Sequence, residues 1–236
     1  MNSKKFLNFI LILFILFFWS CNKQDWEKIK FQKGEIFYNK TVKKDIVTKL
    51  GTYFVENKLF DNKTKKSVRL ENKNNKYTIK MIIKKSYWNN KDFEEKMEFV
   101  GQYLAVTIFN SQHLDIIFTD KNFKTQKTIP IKYIYQLTSG SLSFFYTDNI
   151  KQEIVEKLAN YLKSGITTKT SIQVDMKNNV YILKMIVLDS LINKSNITQI
   201  FTDMGKDISK AVLNKNPLTI HLTNKYFQIK KTIQIK

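Results

Sequence analysis

Cysteine and histidine, the residue types that most often act as nucleophile, general base or soft metal ligand, are rare in this sequence. Its 236 residues include one cysteine, Cys21, and two histidines, His113 and His221. A metal site, or a nucleophile with its base, needs several such groups brought together. The sequence also lacks a glycine-rich phosphate loop and the CxxC, HExxH and GxSxG motifs. It therefore indicates no catalytic residue, no metal ligand and no cofactor.

Cys21 follows an apolar run that extends from Phe6 to Trp19, after a short start that contains two lysines. This is the layout of an export signal, and the run is shorter than the roughly 20 residues of a membrane-spanning helix. Ser20 and Cys21, followed by polar residues, resemble the signal of bacterial lipoproteins. The resemblance implies that residues 1–20 are a signal peptide and that Cys21, the first mature residue, carries a diacylglycerol on its sulfur. The alternatives are a plain secretory signal or an uncleaved short anchor with a spare cysteine.

The lipoprotein resemblance also implies a location and a partner. The protein would be attached to the membrane through its lipid, in the cell envelope, and would face the periplasm or the cell exterior. Acyl chains contribute about 0.8 kcal/mol per buried methylene, so such an anchor holds without a spanning helix. Because no cysteine follows Cys21, the exported body has no disulfide and no thiol chemistry.

The composition is strongly basic, with 40 basic residues against 20 acidic ones and a net charge of +20. Two interpretations remain open. In the first, the high lysine content reflects an AT-rich genome. In the second, the lysines attract anionic lipid headgroups, an anionic polymer or nucleic acid. Sites that grip phosphate usually use arginine, whose planar fork makes bidentate contacts. Because Arg69 is the single arginine, the sequence disfavours nucleic acid as a partner.

An internal repeat organises the body of the chain. Residues 37–54, FYNKTVKKDIVTKLGTYF, align with residues 145–162, FYTDNIKQEIVEKLANYL, and residues 64–83 align with 168–187. Similarity over this length predicts two copies of one unit. The predicted segments are a signal peptide at 1–20, a tether at 21–33, a first repeat at 34–132, a linker at 133–141 and a second repeat at 142–236.

Hydrophobic periodicity predicts the elements of each copy. Apolar residues at every fourth position indicate a helix near 41–57 and its counterpart near 149–164. Hairpins are expected at 66–85 and 170–188, where β-prone runs flank asparagine-rich turns. A second helix and a closing hairpin complete each copy. The prediction is an α+β fold made of two tandem β-α-β-β-α-β-β units, with helices packed on antiparallel sheets.

Some aligned residues carry further information. Gly101 and Gly205 lie in the middle of the second helix, where glycine costs about 1 kcal/mol relative to alanine, so a close helix approach is expected there. The unit also resembles a duplicated domain of uncharacterised bacterial proteins through Phe37–Tyr38, Tyr53 and the strand around Val68. That resemblance implies no activity.

Lysines alternate along the last hairpin of each copy. They are candidates for a basic ribbon that docks on an anionic surface, although a solvated face that protects a sheet edge would carry the same pattern. The candidate polyanion-binding residues are Lys121, Lys124, Lys127, Lys132, Lys225, Lys230, Lys231 and Lys236.

The function expected from these features is that of a lipid-anchored envelope protein that binds a partner. The partner would be another envelope protein, the membrane surface or an anionic polymer. The alternatives are an exported enzyme with a pocket between the two copies, and extracytoplasmic binding of nucleic acid or another polyanion. Because the joint between the copies is short, they should share an interface or a continuous sheet.

Overall fold

A computed structural model describes residues 25–235, which form two similar tandem α+β units with one six-stranded sheet each. Cys21, the signal segment and Lys236 lie outside the described residues. The strands of sheet A are β1 (Trp26–Phe31), β2 (Gly34–Asn39), β3 (Lys66–Lys73), β4 (Lys76–Ile82), β5 (His113–Thr119) and β6 (Thr125–Ile131). Those of sheet B are β7 (Tyr135–Ser139), β8 (Leu142–Tyr146), β9 (Thr170–Lys177), β10 (Val180–Ile186), β11 (Leu218–Thr223) and β12 (Ile229–Ile235). The principal helices are α1 (Lys44–Glu56), α2 (Lys91–Thr107), α3 (Gln152–Leu162) and α4 (Ile197–Ala211).

The two sheets are mixed, so the prediction of antiparallel sheets was wrong. Within each sheet the strands lie in chain order. The hairpins β1–β2, β3–β4 and β5–β6 are antiparallel, whereas β2–β3 and β4–β5 are parallel. The reason is the helix between the hairpins: it returns the chain to the same end of the sheet, so the next strand runs in the same direction as the last. Sheet B repeats this pattern.

Each unit starts one strand earlier than predicted, which gives the order β-β-α-β-β-α-β-β. Strand β1 lies in the segment interpreted as a tether, and β7 lies in the segment interpreted as a linker. The sequence WEKIKF does not indicate a strand, because only Ile29 and Phe31 lie on the apolar face of β1. The aromatic ring of Phe31 fills the space beside Gly51 of α1, where a Cβ would lie 2.1 Å from its Cζ. These contacts make β1 part of the folded unit.

The helices cover one face of each sheet, and glycine allows them to come close. A Cβ on Gly101 of α2 would lie 2.3 Å from Cδ1 of Ile131, and one on Gly205 of α4 would lie 2.6 Å from Cγ1 of Ile235. The close approach expected at both glycines is confirmed. At the start of α2 the Asn90 side chain accepts a hydrogen bond from the Phe93 N–H, which satisfies one of the free donors of the first turn.

Candidate functional site

Helix α2 lies between the two sheets. Its buried residues Met97 and Leu104 belong to the core formed with sheet A. Its opposite side carries Glu98, Phe99 and Gln102, which approach the face of sheet B that α3 and α4 leave free. The rings of Phe99 and Phe227 have centroids 6.2 Å apart. One helix of the first unit therefore serves as a cover for the second.

A buried pair of amides joins the units at the centre of this contact. Gln102 and Gln173 are 1% and 3% exposed, and the Gln173 Nε2 donates a hydrogen bond of 2.5 Å to the Gln102 Oε1. The Gln173 Oε1 is buried without a protein partner among the described residues. Such an oxygen is normally satisfied by water or by a ligand, because an unpaired buried acceptor is costly.

Charged and ionisable side chains flank the amide pair. Burial raises the pKa of Glu98 above its ordinary value, and the positive charges of Lys184 and Lys132 oppose that shift. Burial lowers the pKa of Lys184, and the negative charge of Glu98 opposes it. Burial also raises the pKa of Tyr133, with Asp175 and Glu98 adding to the effect. Each group is thus partly desolvated at the contact between the units.

A small cavity opens beside these groups. It measures about 70 Å³ and is lined by Glu95, Glu98, Phe99, Gln173 and Lys184 together with the β11–β12 turn. Pockets for small-molecule ligands are usually about 300–1,000 Å³, whereas a water needs only about 10–15 Å³ of such space. The cavity therefore suits a few waters that bridge the polar groups. Within residues 25–235, no group of three or more histidine, cysteine or acidic residues is arranged to hold a metal ion.

Each sheet carries an equivalent row of residues on the face away from the helices of its own unit. In sheet B the register aligns Phe145, Gln173, Lys184 and His221. The corresponding row of sheet A is Phe37, Arg69, Lys80 and Ile117. Phe145 and Gln173 are buried, but all four residues of the sheet A row are only partly buried. Among the described residues nothing covers sheet A in the way that α2 covers sheet B. This uncovered side of sheet A is named the open face.

Arg69 lies at the centre of the open face between two aromatic rings. Its guanidinium carbon is 5.0 Å from the centroid of the Trp26 ring and 4.0 Å from that of Phe123. Phe123 has φ of 62° and Phe227, its counterpart, has φ of 59°. A bulky residue rarely adopts this left-handed conformation, and both turns are fixed by a side-chain acceptor, Asp120 or Asn224. Both turns therefore hold a phenylalanine over the sheet.

The predicted lysines occupy the edges of the two sheets. Strands β6 and β12 are edge strands, and Lys121, Lys124, Lys225 and Lys230 are exposed. Lys132 is also exposed, whereas Lys127 and Lys231 are partly buried. The Lys127 Nζ lies 2.9 Å from a Glu94 carboxylate oxygen, and Lys132 is close enough to Lys184 to influence its pKa. The candidates thus lie on two separate sheets.

The side of α2 that contacts sheet B was not recognised from the sequence. A mixed set such as Glu98, Phe99 and Gln102 has the composition of a solvated helix face. The signal that would have revealed it is the alignment of the copies, in which Phe99 corresponds to Asp203 and Gln102 to Lys206. This side is less polar in α2 of the first copy than in α4 of the second copy, and only α2 uses it for packing against the other unit.

Comparison with known proteins adds information on the second unit. A family model described as a family N-terminal domain, from a family of uncharacterised proteins, matches residues 136–235. The match begins inside β7 and ends at the last residue of β12, so it coincides with sheet B and its helices. The second unit is therefore similar to a domain of uncharacterised proteins. Searches of the curated proteins and of the solved structures found no match.

The lipid anchor stays a prediction, because the match starts well after Cys21. In the part of the chain that the structure describes, no helix is long and apolar enough to cross a membrane.

Proposed function

We propose that this protein is a lipid-anchored component of the cell envelope that binds another protein through the open face of sheet A. The observation that supports the proposal is the difference between the two sheets. In sheet B this row of residues is covered by α2. The equivalent row of sheet A is uncovered among residues 25–235. Partly exposed aromatic and apolar groups on a flat sheet are typical of protein contact surfaces.

The predicted anchor would hold this surface close to the membrane. Strand β1 begins at Trp26, and the chain from Cys21 to that residue spans roughly 18 Å at most when extended. Sheet A, with β1 at its edge, would therefore stand next to the lipid headgroups. The partner is accordingly a protein with a segment near the membrane surface.

The anchor is tested by metabolic labelling with a fatty acid. The Cys21→Ala variant should lose the label and leave the membrane fraction, because no other cysteine can carry the lipid. Label that persists in the variant would show that the lipoprotein assignment is wrong.

The binding surface is tested by photo-crosslinking in intact cells. A photoreactive residue replaces Ile82, which is 40% exposed on the open face, or Ile200, which is 52% exposed on α4 and serves as the control. We expect a defined protein adduct from position 82 and none from position 200. Equal adducts from both positions, or adducts with lipid alone, would contradict the proposal.

The alternative of an exported enzyme is favoured by one observation, the ionisable groups between the units. Burial lowers the pKa of Lys184, which makes its amine a better nucleophile near neutral pH than an exposed lysine. Limited labelling with a small amine-reactive reagent, read by mass spectrometry, tests this candidate. Lys184 should be modified before the exposed Lys121 and Lys225. Slower modification of Lys184 than of these controls would show that its amine is not an accessible nucleophile and would remove the observation that favours this alternative.

A further inference from the structure

We infer that the open face of sheet A binds an acidic amphipathic helix, with a carboxylate opposite Arg69 and an aromatic residue three positions before it. This inference rests on the proposed function and specifies the partner. Its template lies within the protein itself, because α2 is a helix bound to the equivalent face of sheet B.

The contacts of α2 define which helix positions face which sheet positions. Gln102 bonds to Gln173 of β9. One turn earlier, Glu98 lines the same small cavity as Lys184 of β10. Phe99 packs against the ring of Phe227 in the β11–β12 turn. A covering helix thus presents an acid, then an aromatic ring, then a hydrogen-bonding group on the next turn.

The sheet A counterparts of these positions keep the register and differ in charge at one position. Arg69 takes the place of Gln173, and Lys80 takes the place of Lys184. Phe123 takes the place of Phe227 and is held by the same kind of turn. Because Lys80 is already paired with Glu71 and Arg69 has no carboxylate partner among the described residues, the matching helix carries a carboxylate opposite Arg69, at the position of Gln102. The ring of Phe123 provides the apolar contact for an aromatic side chain.

The charges around Arg69 strengthen this assignment. Three carboxylates lie on the open face, and each is held by a lysine: Glu35 by Lys28 at 3.5 Å, Glu71 by Lys80 at 2.6 Å and Asp115 by Lys76 at 2.7 Å. Arg69 makes no such pair among the described residues and contacts aromatic rings instead. A guanidinium fixed in this way is ordered in advance for a bidentate contact with a carboxylate.

A second copy of the chain does not fit this surface. The helix of the second unit that corresponds to α2 is α4, which carries Thr202, Asp203 and Lys206 at the three contact positions. It would place a lysine opposite Arg69 and a carboxylate against the ring of Phe123. Both contacts are unfavourable, so the occupant is a helix of a different protein.

The experiment uses the chain from residue 22 onward, which keeps every described residue, and two fluorescein-labelled peptides. The acidic peptide has the sequence of residues 91–107 with Gln102→Glu, and a hydrocarbon staple on the side that faces sheet A in the protein. The reversed peptide has the same staple, with Glu98→Lys and Gln102→Lys. Binding is measured by fluorescence anisotropy.

The protein variants are Arg69→Glu and the control Lys206→Glu, which makes an equal charge change on α4. We expect saturable binding of the acidic peptide, about tenfold weaker for Arg69→Glu and within about twofold of the parent for Lys206→Glu. The reversed peptide should bind Arg69→Glu more tightly than the parent. Urea unfolding of both variants verifies that they are folded.

Three results would overturn the inference. Equal losses for the two protein variants would show that net charge, and not the open face, governs binding. Equal binding of both peptides to the parent protein would exclude charge recognition. Binding to anionic phosphatidylglycerol vesicles that depends on Arg69, without peptide binding, would assign the face to lipid.

These results are separable from those of the proposed function. A protein adduct from position 82 in cells, together with no peptide binding, would leave the proposed function in place and reject the acidic helix. Absence of that adduct would reject the proposed function itself, whatever the peptides do.

Discussion

The amide pair between the units allows a quantitative test of the helix-on-sheet contact. Replacing Gln102 with leucine keeps a similar volume but leaves the buried Gln173 amide without its partner. An unsatisfied buried polar group costs about 1–3 kcal/mol, whereas replacing both partners with apolar groups of similar shape is close to neutral. Gln102→Leu and Gln173→Leu should therefore each lower the free energy of unfolding by about 1–3 kcal/mol. The double variant should lose less than either single variant.

The assay is equilibrium urea unfolding of the chain from residue 22 onward, followed by circular dichroism and by tryptophan fluorescence. The pairwise term follows from the double-mutant cycle and should exceed the larger of the two single losses, which are each about 1–3 kcal/mol. A control cycle between Gln102 and the exposed Thr48 of α1, which share no contact among those described, should be additive. If the effects of the two glutamines also add, the amides do not stabilise each other, and the described contact between the units is incorrect.

Three further predictions concern packing, pH and surface charge. Gly101→Ala should destabilise the protein, because overpacking against Ile131 costs about 1–3 kcal/mol and exceeds the gain of about 1 kcal/mol in helix propensity; adding Ile131→Val should recover part of the loss in urea unfolding. The raised pKa of Glu98 means that its ionisation opposes folding. The stability of the parent relative to Glu98→Gln should therefore be highest below about pH 4.5, where Glu98 is protonated in both states, and fall as the pH rises from there through the folded-state pKa; parallel stability curves would contradict this. On a heparin column, glutamine replacements at the exposed hairpin lysines should lower the eluting salt concentration more than the same number of replacements in and beside α1; equal shifts would show that net charge alone governs the binding to heparin. The hairpin set is Lys121, Lys124, Lys225 and Lys230, and the control set is Lys43, Lys44, Lys49 and Lys58.

Local patterns predicted most of the regular elements. The helix expected near 41–57 is observed at Lys44–Glu56, and the hairpin expected at 170–188 is observed as β9 and β10. These elements depend on residues close in sequence, whose periodicity is visible directly. Strand β1 was missed because three of its six residues are charged and exposed. Its identity as a strand depends on pairing with β2 and on contact with α1.

The candidate site could not be predicted, since its parts come from distant segments. Gln102 and Gln173 belong to different units, and neither residue has a sequence neighbour that indicates its burial. Arg69 was noticed as the single arginine, but its position between Trp26 and Phe123 depends on the β5–β6 turn folding back over the sheet. Tertiary contacts of this kind leave no periodic signal.

The packing of α2 on sheet B makes the two ends of the molecule different, because the first unit supplies the covering helix and the second supplies the covered sheet. Head-to-tail contacts between repeated units propagate until a unit lacks a compatible surface, as terminal capping repeats do in solenoid proteins. Asp203 and Lys206 on α4 act as such a cap, whereas the opposite end of the molecule keeps a surface of the type that accepts a helix. Giving α4 the acidic and aromatic side that fits the open face would remove the cap and join copies end to end. Because a head-to-tail contact without rotational closure generates filaments, on the proposed fit of the open face these polar residues would also protect the protein against polymerisation.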